Sequence, residues 1–229
     1  MKRHIILIAV LAVSALLLSA CATEDPLTAE DVLAQSALRM SDIDTVQFAL
    51  ERQGAPVGLD LGAGTVNILG AVGSYQSPNQ AVATIRVELS GLISEADVLW
   101  QGEDIFLQFP PLIPEFTPVE LDATFDIAQL FAQDVGIPFV MTQALSETEL
   151  VGTEDIEGVP SHHITAQADG ESIAALVGGV LNPGDVDLDI WIDTQTFEVV
   201  RLLITEADES TWTVDLFSYD DAVEIPTVP

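Results

Sequence analysis

Most of this 229-residue chain alternates apolar and polar side chains with a period of two, and that pattern dictates strands with one wet face and one dry face. TVQFALERQ places Val46, Phe48 and Leu50 on one side, and TVNILGAVGSYQ does the same with Val66 and Ile68. A turn at SPNQ, Ser77 to Gln80, leads into AVATIRVELSG, where Ile85, Val87 and Leu89 lie opposite Arg86 and Glu88. ADVLWQGEDIFLQF reads as a hairpin turning at QGED. Strands resume with ELVGTEDIEGVPSHHITAQA and continue through DLDIWID, TFEVVRLLITEAD and STWTVDLFSYD. Consecutive strands with short turns predict an antiparallel sheet of about ten strands, which at that size curls and needs something over its dry face.

Helical spacing is confined to a few segments. Thr28 followed by Asp31 reads as a capping box, with Leu33, Ala37 and Met40 on one face of a helix ending near Ser41. FDIAQLFAQDV and PFVMTQAL, within 122–145, and SIAALVGGV, within 172–180, predict the helices available as cover. PPLIPEFTP, residues 110–118, is too rich in proline for a central strand and reads as a loop.

The N-terminus follows different rules. Lys2 and Arg3 precede an apolar run from Ile5 to Leu18, closed by Ser19, Ala20 and Cys21. A positive start, a short apolar stretch and small residues at the cut site make a secretory signal over 1–20. The order Leu18-Ser19-Ala20-Cys21 also fits the bacterial lipobox, in which the cysteine receives diacylglycerol and becomes the first mature residue. Cys21 is the sole cysteine, so no internal disulfide or cysteine-based metal site is expected. Residues 21–27 then form a tether of at most about 25 Å, and 28–229 form a single domain. The anchor holds the protein at a membrane, with the outer face of the plasma membrane the expected location.

Once the signal is removed, Arg39, Arg52, Arg86 and Arg201 are the only strong cations against 37 acidic residues. A surface this acidic repels nucleic acid. His162 and His163 are neighbours on a predicted strand and point to opposite faces, so they do not chelate one metal, and no metal or cofactor is expected. Glu154/Asp155 and Asp220/Asp221 lack the dense loop that calcium needs and read as solvated turn residues. Ser36, Ser161 and Ser172 lack a nucleophile-elbow setting, and LDLGAGTV lacks the lysine and spacing of a phosphate loop. No converging polar constellation suggests an enzyme.

Several stretches, in order, resemble the LppX/LprAFG bacterial lipoproteins and, more distantly, LolA-like carriers. They are the lipobox at Cys21, TAEDVLAQSALRMSDIDTVQF, LVGTEDIEGVPSHHI, DIWIDTQTFEVVRL and LFSYDDAVEIPTVP. The resemblance implies an α+β half-barrel: a strongly curved antiparallel sheet with helices packed on its concave face around a hydrophobic cavity. It further implies that the cavity holds acyl chains of an envelope lipid or glycolipid, carried or presented within the periplasmic space, with an envelope transporter as a further partner. The chain departs from the family's better-known members in its acidity and in its proline-rich segment at 110–118.

Alternation alone selects the cavity candidates: Phe48, Ile68, Val87, Trp100, Leu107, Phe131, Val140, Ile190, Leu202 and Val214. The competing expectation is a structural lipoprotein whose interior is filled by its own side chains and whose exterior meets a protein partner.

Overall fold

The computed structural model describes residues 26–60, 65–89, 91–102, 104–110, 112–119, 131, 136–174, 181 and 184–228. The first element is α1, Ala29–Ser41. Its start is fixed by the expected capping box, with the Asp31 N–H donating to Thr28 Oγ1 at 3.1 Å and the Thr28 N–H donating to Asp31 Oδ2 at 3.2 Å. Such a cap contributes about 1 kcal/mol, and acids in the first turn with Arg39 in the last complement the helix dipole. Val32, Leu33, Ser36, Ala37 and Met40 form its buried stripe.

Twelve strands follow: β1 Thr45–Gln53, β2 Val57–Asp60, β3 Thr65–Gln76, β4 Gln80–Leu89, β5 Leu92–Gln101, β6 Asp104–Phe109, β7 Ile113–Pro118, β8 Leu145–Ile156, β9 Val159–Asp169, β10 Asp185–Asp193, β11 Val199–Thr205 and β12 Thr211–Phe217. They form one open antiparallel sheet in the order β7-β6-β5-β4-β3-β1-β12-β11-β10-β9-β8, with β2 paired to β3 beyond the end of β1. The sheet is thus two meanders joined where the first long strand meets the last. Seven residues of β1, Gln47 to Gln53, pair with Phe217 to Thr211 along that seam.

The seam is reinforced at one rim. The Asp220 N–H donates to the Thr45 carbonyl at 2.9 Å, and Thr45 Oγ1 donates to the Asp221 carbonyl at 2.6 Å. Arg39 reaches from the end of α1 to Glu198 and Asp220, each at 2.5 Å. Beyond Asp221 the chain continues to Val228, which exchanges two hydrogen bonds with the Gln101 side chain at the end of β5. The C-terminal segment therefore crosses from β1 to β5.

Differences from the sequence-based expectation are local. The ten expected strands are all present, and two were missed. β2 is a four-residue strand containing glycine. β7 lies inside the proline-rich stretch read as a loop; it pairs only with β6, and an edge strand tolerates Pro114 and Pro118 because one side of its backbone needs no partner. PFVMTQAL is shorter as a helix than expected: α2, Ile137–Phe139, passes into a π-helical turn at Val140–Ala144, and β8 begins at Leu145. The expected helix in FDIAQLFAQDV lies outside the described residues except for Phe131. Of the helix in SIAALVGGV, the described part is α3, Gly170–Ile173, which begins two residues earlier than expected, while 175–180 lie outside.

Candidate functional site

Strand register makes one face of the sheet continuous. Ala96, Ile85, Ala71, Leu50, Val214, Leu202, Ile190, Ile164 and Leu150 are successive cross-strand partners from β5 to β8. No polar side chain interrupts that row. One level further along, Leu107, Val98, Ala83, Gly73, Phe48 and Leu216 form a second row from β6 to β12. Directly opposed residues on antiparallel strands share a face, so both rows line the same side. Buried residues of α1, α2, the π-helical turn and α3 join this face in one apolar cluster, which includes Val32, Met40, Ile137, Val140, Met141 and Ile173.

Nine of the ten candidate residues belong to that cluster or pack against it. Trp100, Phe131, Val140, Ile190, Leu202 and Val214 are buried within it, while Phe48, Ile68 and Leu107 are partly buried against it. Phe131 stacks in a tilted arrangement on Tyr75, with ring centroids 4.6 Å apart. Val87 pairs with Ile68 and therefore shares its face, but lies outside the cluster and is only half-buried. Cys21 lies outside the described residues.

The face is not uniform in bulk. Where β3, β4 and β5 cross it, Ala71, Gly73, Ala81, Ala83 and Ala96 are small, whereas β10 to β12 contribute Leu188, Ile190, Leu202, Ile204, Trp212 and Leu216. Phe48 fills the place over Gly73, since a β-carbon there would come within 2.7 Å of its ring.

Alternation missed a charged pair at the end of this face. Arg52 is in phase with Leu50 and Phe48, and its guanidinium binds Glu206 with Nη1–Oε1 at 2.5 Å and Nη2–Oε2 at 3.4 Å. Its Nε donates to the Ala55 carbonyl, and the charge lies 5.1 Å from the centre of the Trp212 ring. The sequence does carry a signal: an arginine on the dry side of a strand needs a buried acid somewhere. Among the described residues, the Trp212 indole N–H and the Ser36 hydroxyl are also buried, without a hydrogen-bond partner.

The histidines divide between the faces as their adjacency requires. His162 lies half-buried near Phe197, with ring centroids 6.4 Å apart, and burial lowers its pKa below the ordinary 6.5 against an opposing pull from Asp193. His163 lies on the other face between Glu154 at 3.1 Å and Asp189 at 2.7 Å, stacked on Trp191. No cluster among the described residues has the makings of a metal site. The acids read as solvated turn residues do more than that. Glu154 accepts from the Trp191 indole, which with His163 holds its carboxyl below the usual range. Asp155 accepts from the Gly158 N–H, and Asp220 is held by Arg39 and the Asp44 N–H.

A cavity of about 360 Å³ opens elsewhere, at the rim where the β8–β9 and β10–β11 turns meet the end of β12. Its lining mixes Ile156, Val159 and Phe217 with Arg201, Asp215 and Glu198. Of the two apolar rows, only Leu216 of the second borders that volume.

The family model described as LppX_LprAFG lipoprotein matches residues 28–225. The chain belongs to that family. LprF from Mycobacterium bovis superposes with a TM-score of 0.67 at 15% identity, covering 87% of this chain and 96% of that one. The Mycobacterium tuberculosis lipoprotein LppX gives a TM-score of 0.62 at 18% identity, with 89% and 100% covered. At such identities the likeness establishes a shared fold. A LolA superfamily protein from Nitrosomonas europaea, 12% identical over 89% of this chain and 96% of that one, superposes far less well, with a TM-score of 0.30. No curated relative matches the sequence. Membership of a lipoprotein family places the chain in the cell envelope, and no described helix is long and apolar enough to cross a membrane.

Proposed function

We propose that this family member is a membrane-anchored, non-enzymatic carrier. In this reading it holds acyl chains of an envelope lipid or glycolipid between its sheet, curved as a half-barrel, and the helices on the concave side, and transports or presents that lipid. The observation that carries the reading is the unbroken apolar row across nine strands of an open sheet, in a fold shared with LppX and LprF. Cys21 bears the lipid anchor on the outer face of the plasma membrane, and the ten candidate residues contact the tails.

Partition supplies the affinity. Each methylene removed from water contributes about 0.8 kcal/mol, so a tail of about sixteen carbons gains on the order of 10 kcal/mol before ordering costs. The headgroup stays at the mouth, because a polar group drawn inside without partners loses more than it gains.

A second reading is favoured by one observation: Trp100, Phe131, Val140, Ile190, Leu202 and Val214 are already buried among the protein's own side chains. On that basis the chain is an interaction lipoprotein with a self-filled interior.

Native mass spectrometry of the soluble form, Thr23 to Pro229, exported and purified without detergent, separates the two. The carrier reading expects a co-purified lipid of defined mass that organic extraction releases. Val87→Trp and Leu107→Trp, at half-buried positions on the apolar face, are expected to remove that adduct while leaving the melting temperature unchanged. A folded protein that stays bare after incubation with its host's lipids sinks the carrier reading.

A further inference from the structure

The β4–β5 hairpin ends in three large aliphatic side chains that are open to solvent: Leu89 at 39%, Leu92 at 72% and Ile93 at 66% of full exposure. Single exposed aliphatics are ordinary on a protein surface, whereas three within five residues at one tip are a patch. Leu89 pairs with Leu92, and Ile93 pairs with Glu88, so the apolar groups project from both sides of the hairpin. An extension of the core face would be apolar on one side only.

On the β6 side the tip also stands clear of its neighbour, while on the other side β3 runs beside it as far as the Asn67–Glu88 pair. Pairing between β5 and β6 stops at Asp97, leaving Leu92 to Glu95 beyond the end of β6, roughly 13 Å of strand.

Strand polarity fixes which rim carries this tip. It is the rim where β1 and β9 end and where β8 and β10 begin. The first turn of α1 lies toward the beginning of β8, with Thr148 Oγ1 donating to Glu30 Oε1 at 3.3 Å. The last turn is held at the opposite rim, where Arg39 meets Glu198 and Asp220. The 25 residues that precede Pro26, with their apolar run and Cys21, therefore join the domain at the end of α1 that points toward the rim bearing the hairpin tip.

We propose that Leu89, Leu92 and Ile93 insert into the outer part of the bilayer to which the chain is tethered, so that this rim faces the membrane. The inference rests on the anchor reading of Cys21. A bilayer fits the patch better than a protein partner because large aliphatic side chains project from both sides of the tip. Glu88 and Glu95 flank the tip and limit the depth of insertion to the headgroup boundary. The interaction is apolar and orients the domain, while the tether supplies the attachment.

The mature lipidated chain provides its own test system. Its natural cysteine is taken up by lipid, so a cysteine introduced at Leu92 is the free thiol. Leu92→Cys and, at the far end of α1, Leu38→Cys are each labelled with a nitrobenzoxadiazole dye and reconstituted on phosphatidylcholine vesicles. Emission is then quenched either by a nitroxide-bearing phosphatidylcholine or by aqueous iodide. The expected result is blue-shifted emission at Leu92, with nitroxide quenching at least about fivefold stronger than at Leu38, since membrane-inserted apolar groups lie about 5–10 Å inside the boundary. A vesicle-bound, lipidated protein whose two probes are equally open to iodide overturns the tip insertion and leaves the anchor standing. A Leu92 probe shielded from both quenchers overturns it in favour of cover by protein. A chain with no added mass at Cys21 overturns the anchor and this orientation together.

Discussion

Arg52→Met tests whether the charged pair at the end of the apolar face is a structural clamp. The two side chains are 2% and 3% exposed, the ion pair is closed by two hydrogen bonds, and a third runs from Arg52 to the Ala55 carbonyl. Methionine keeps about the length of the stem, but it removes the guanidinium that lies over the Trp212 ring and pairs with the Glu206 carboxylate where water hardly reaches. Breaking a buried pair from one side costs about 3–5 kcal/mol, which for a domain of this size lowers the melting temperature by roughly 6–20 °C. Replacing both groups removes the buried carboxylate as well, so Arg52→Met/Glu206→Met is expected to recover at least about 2 kcal/mol over the single variant. Urea unfolding followed by circular dichroism gives all four corners of the cycle. A single variant within about 1 kcal/mol of the parent, or a double variant no more stable than the single, refutes the argument that loss of the guanidinium from a buried carboxylate sets the cost.

Two further outcomes follow from local geometry. Gly73→Ala places a β-carbon 2.7 Å from the Phe48 ring and even closer to the Val82 carbonyl oxygen, so a loss of about 1–3 kcal/mol in thermal or urea unfolding is expected, and an unchanged melting temperature contradicts the packing described. His162 is held below its ordinary pKa by burial, with Asp193 opposing, so below about pH 6.5 the unfolded chain binds more protons than the folded one, and stability falls from there down to the folded value. His162→Gln is expected to reduce the stability difference between about pH 7.5 and 5.5, and identical differences in variant and parent sink that assignment.

Period two was legible wherever a strand had one dry face, and that made ten strands and the apolar row readable from sequence. It failed where a strand was too short or too irregular to show a period. VGLD in β2 offers two apolar positions and a glycine, and β7 is broken by Pro114 and Pro118. Alternation also assigns a face but not a depth. Val87 is in phase with Ile85 and faces the same way, yet it falls outside the core cluster because it lies further along the ribbon that ends at Leu89. Arg52 shows the other limit: its phase announces a charge on the dry side, while its partner Glu206 is 154 residues away, and nothing local in the sequence joins them. Adjacency was enough for His162 and His163, because opposite faces follow from two consecutive positions on any strand.

The few positive charges bear on what the protein can recognise. Of the four arginines downstream of the N-terminal segment, Arg39 ties the end of α1 to Glu198 and to Asp220 after β12, over 159 and 181 residues of chain. Arg52 closes the buried pair with Glu206, and Arg201 joins β11 to Asp215 on β12 and to Glu157 at the β8–β9 turn. Three of the four therefore hold the second meander to itself or to the first elements of the chain, and each faces at least one carboxylate already. Arg86 alone is exposed on the outer side of β4, next to Glu88 and across from Glu95. An anionic headgroup would find no cluster of cations among the described residues, and a net charge of −31 repels it. Under the carrier reading, selectivity then has to come from the volume and length of the apolar part of the ligand. The same arrangement predicts where salt acts: the exposed contact of Arg201 with Glu157 is screened, whereas the Arg52–Glu206 pair, out of reach of solvent ions, keeps the apolar face closed at that end.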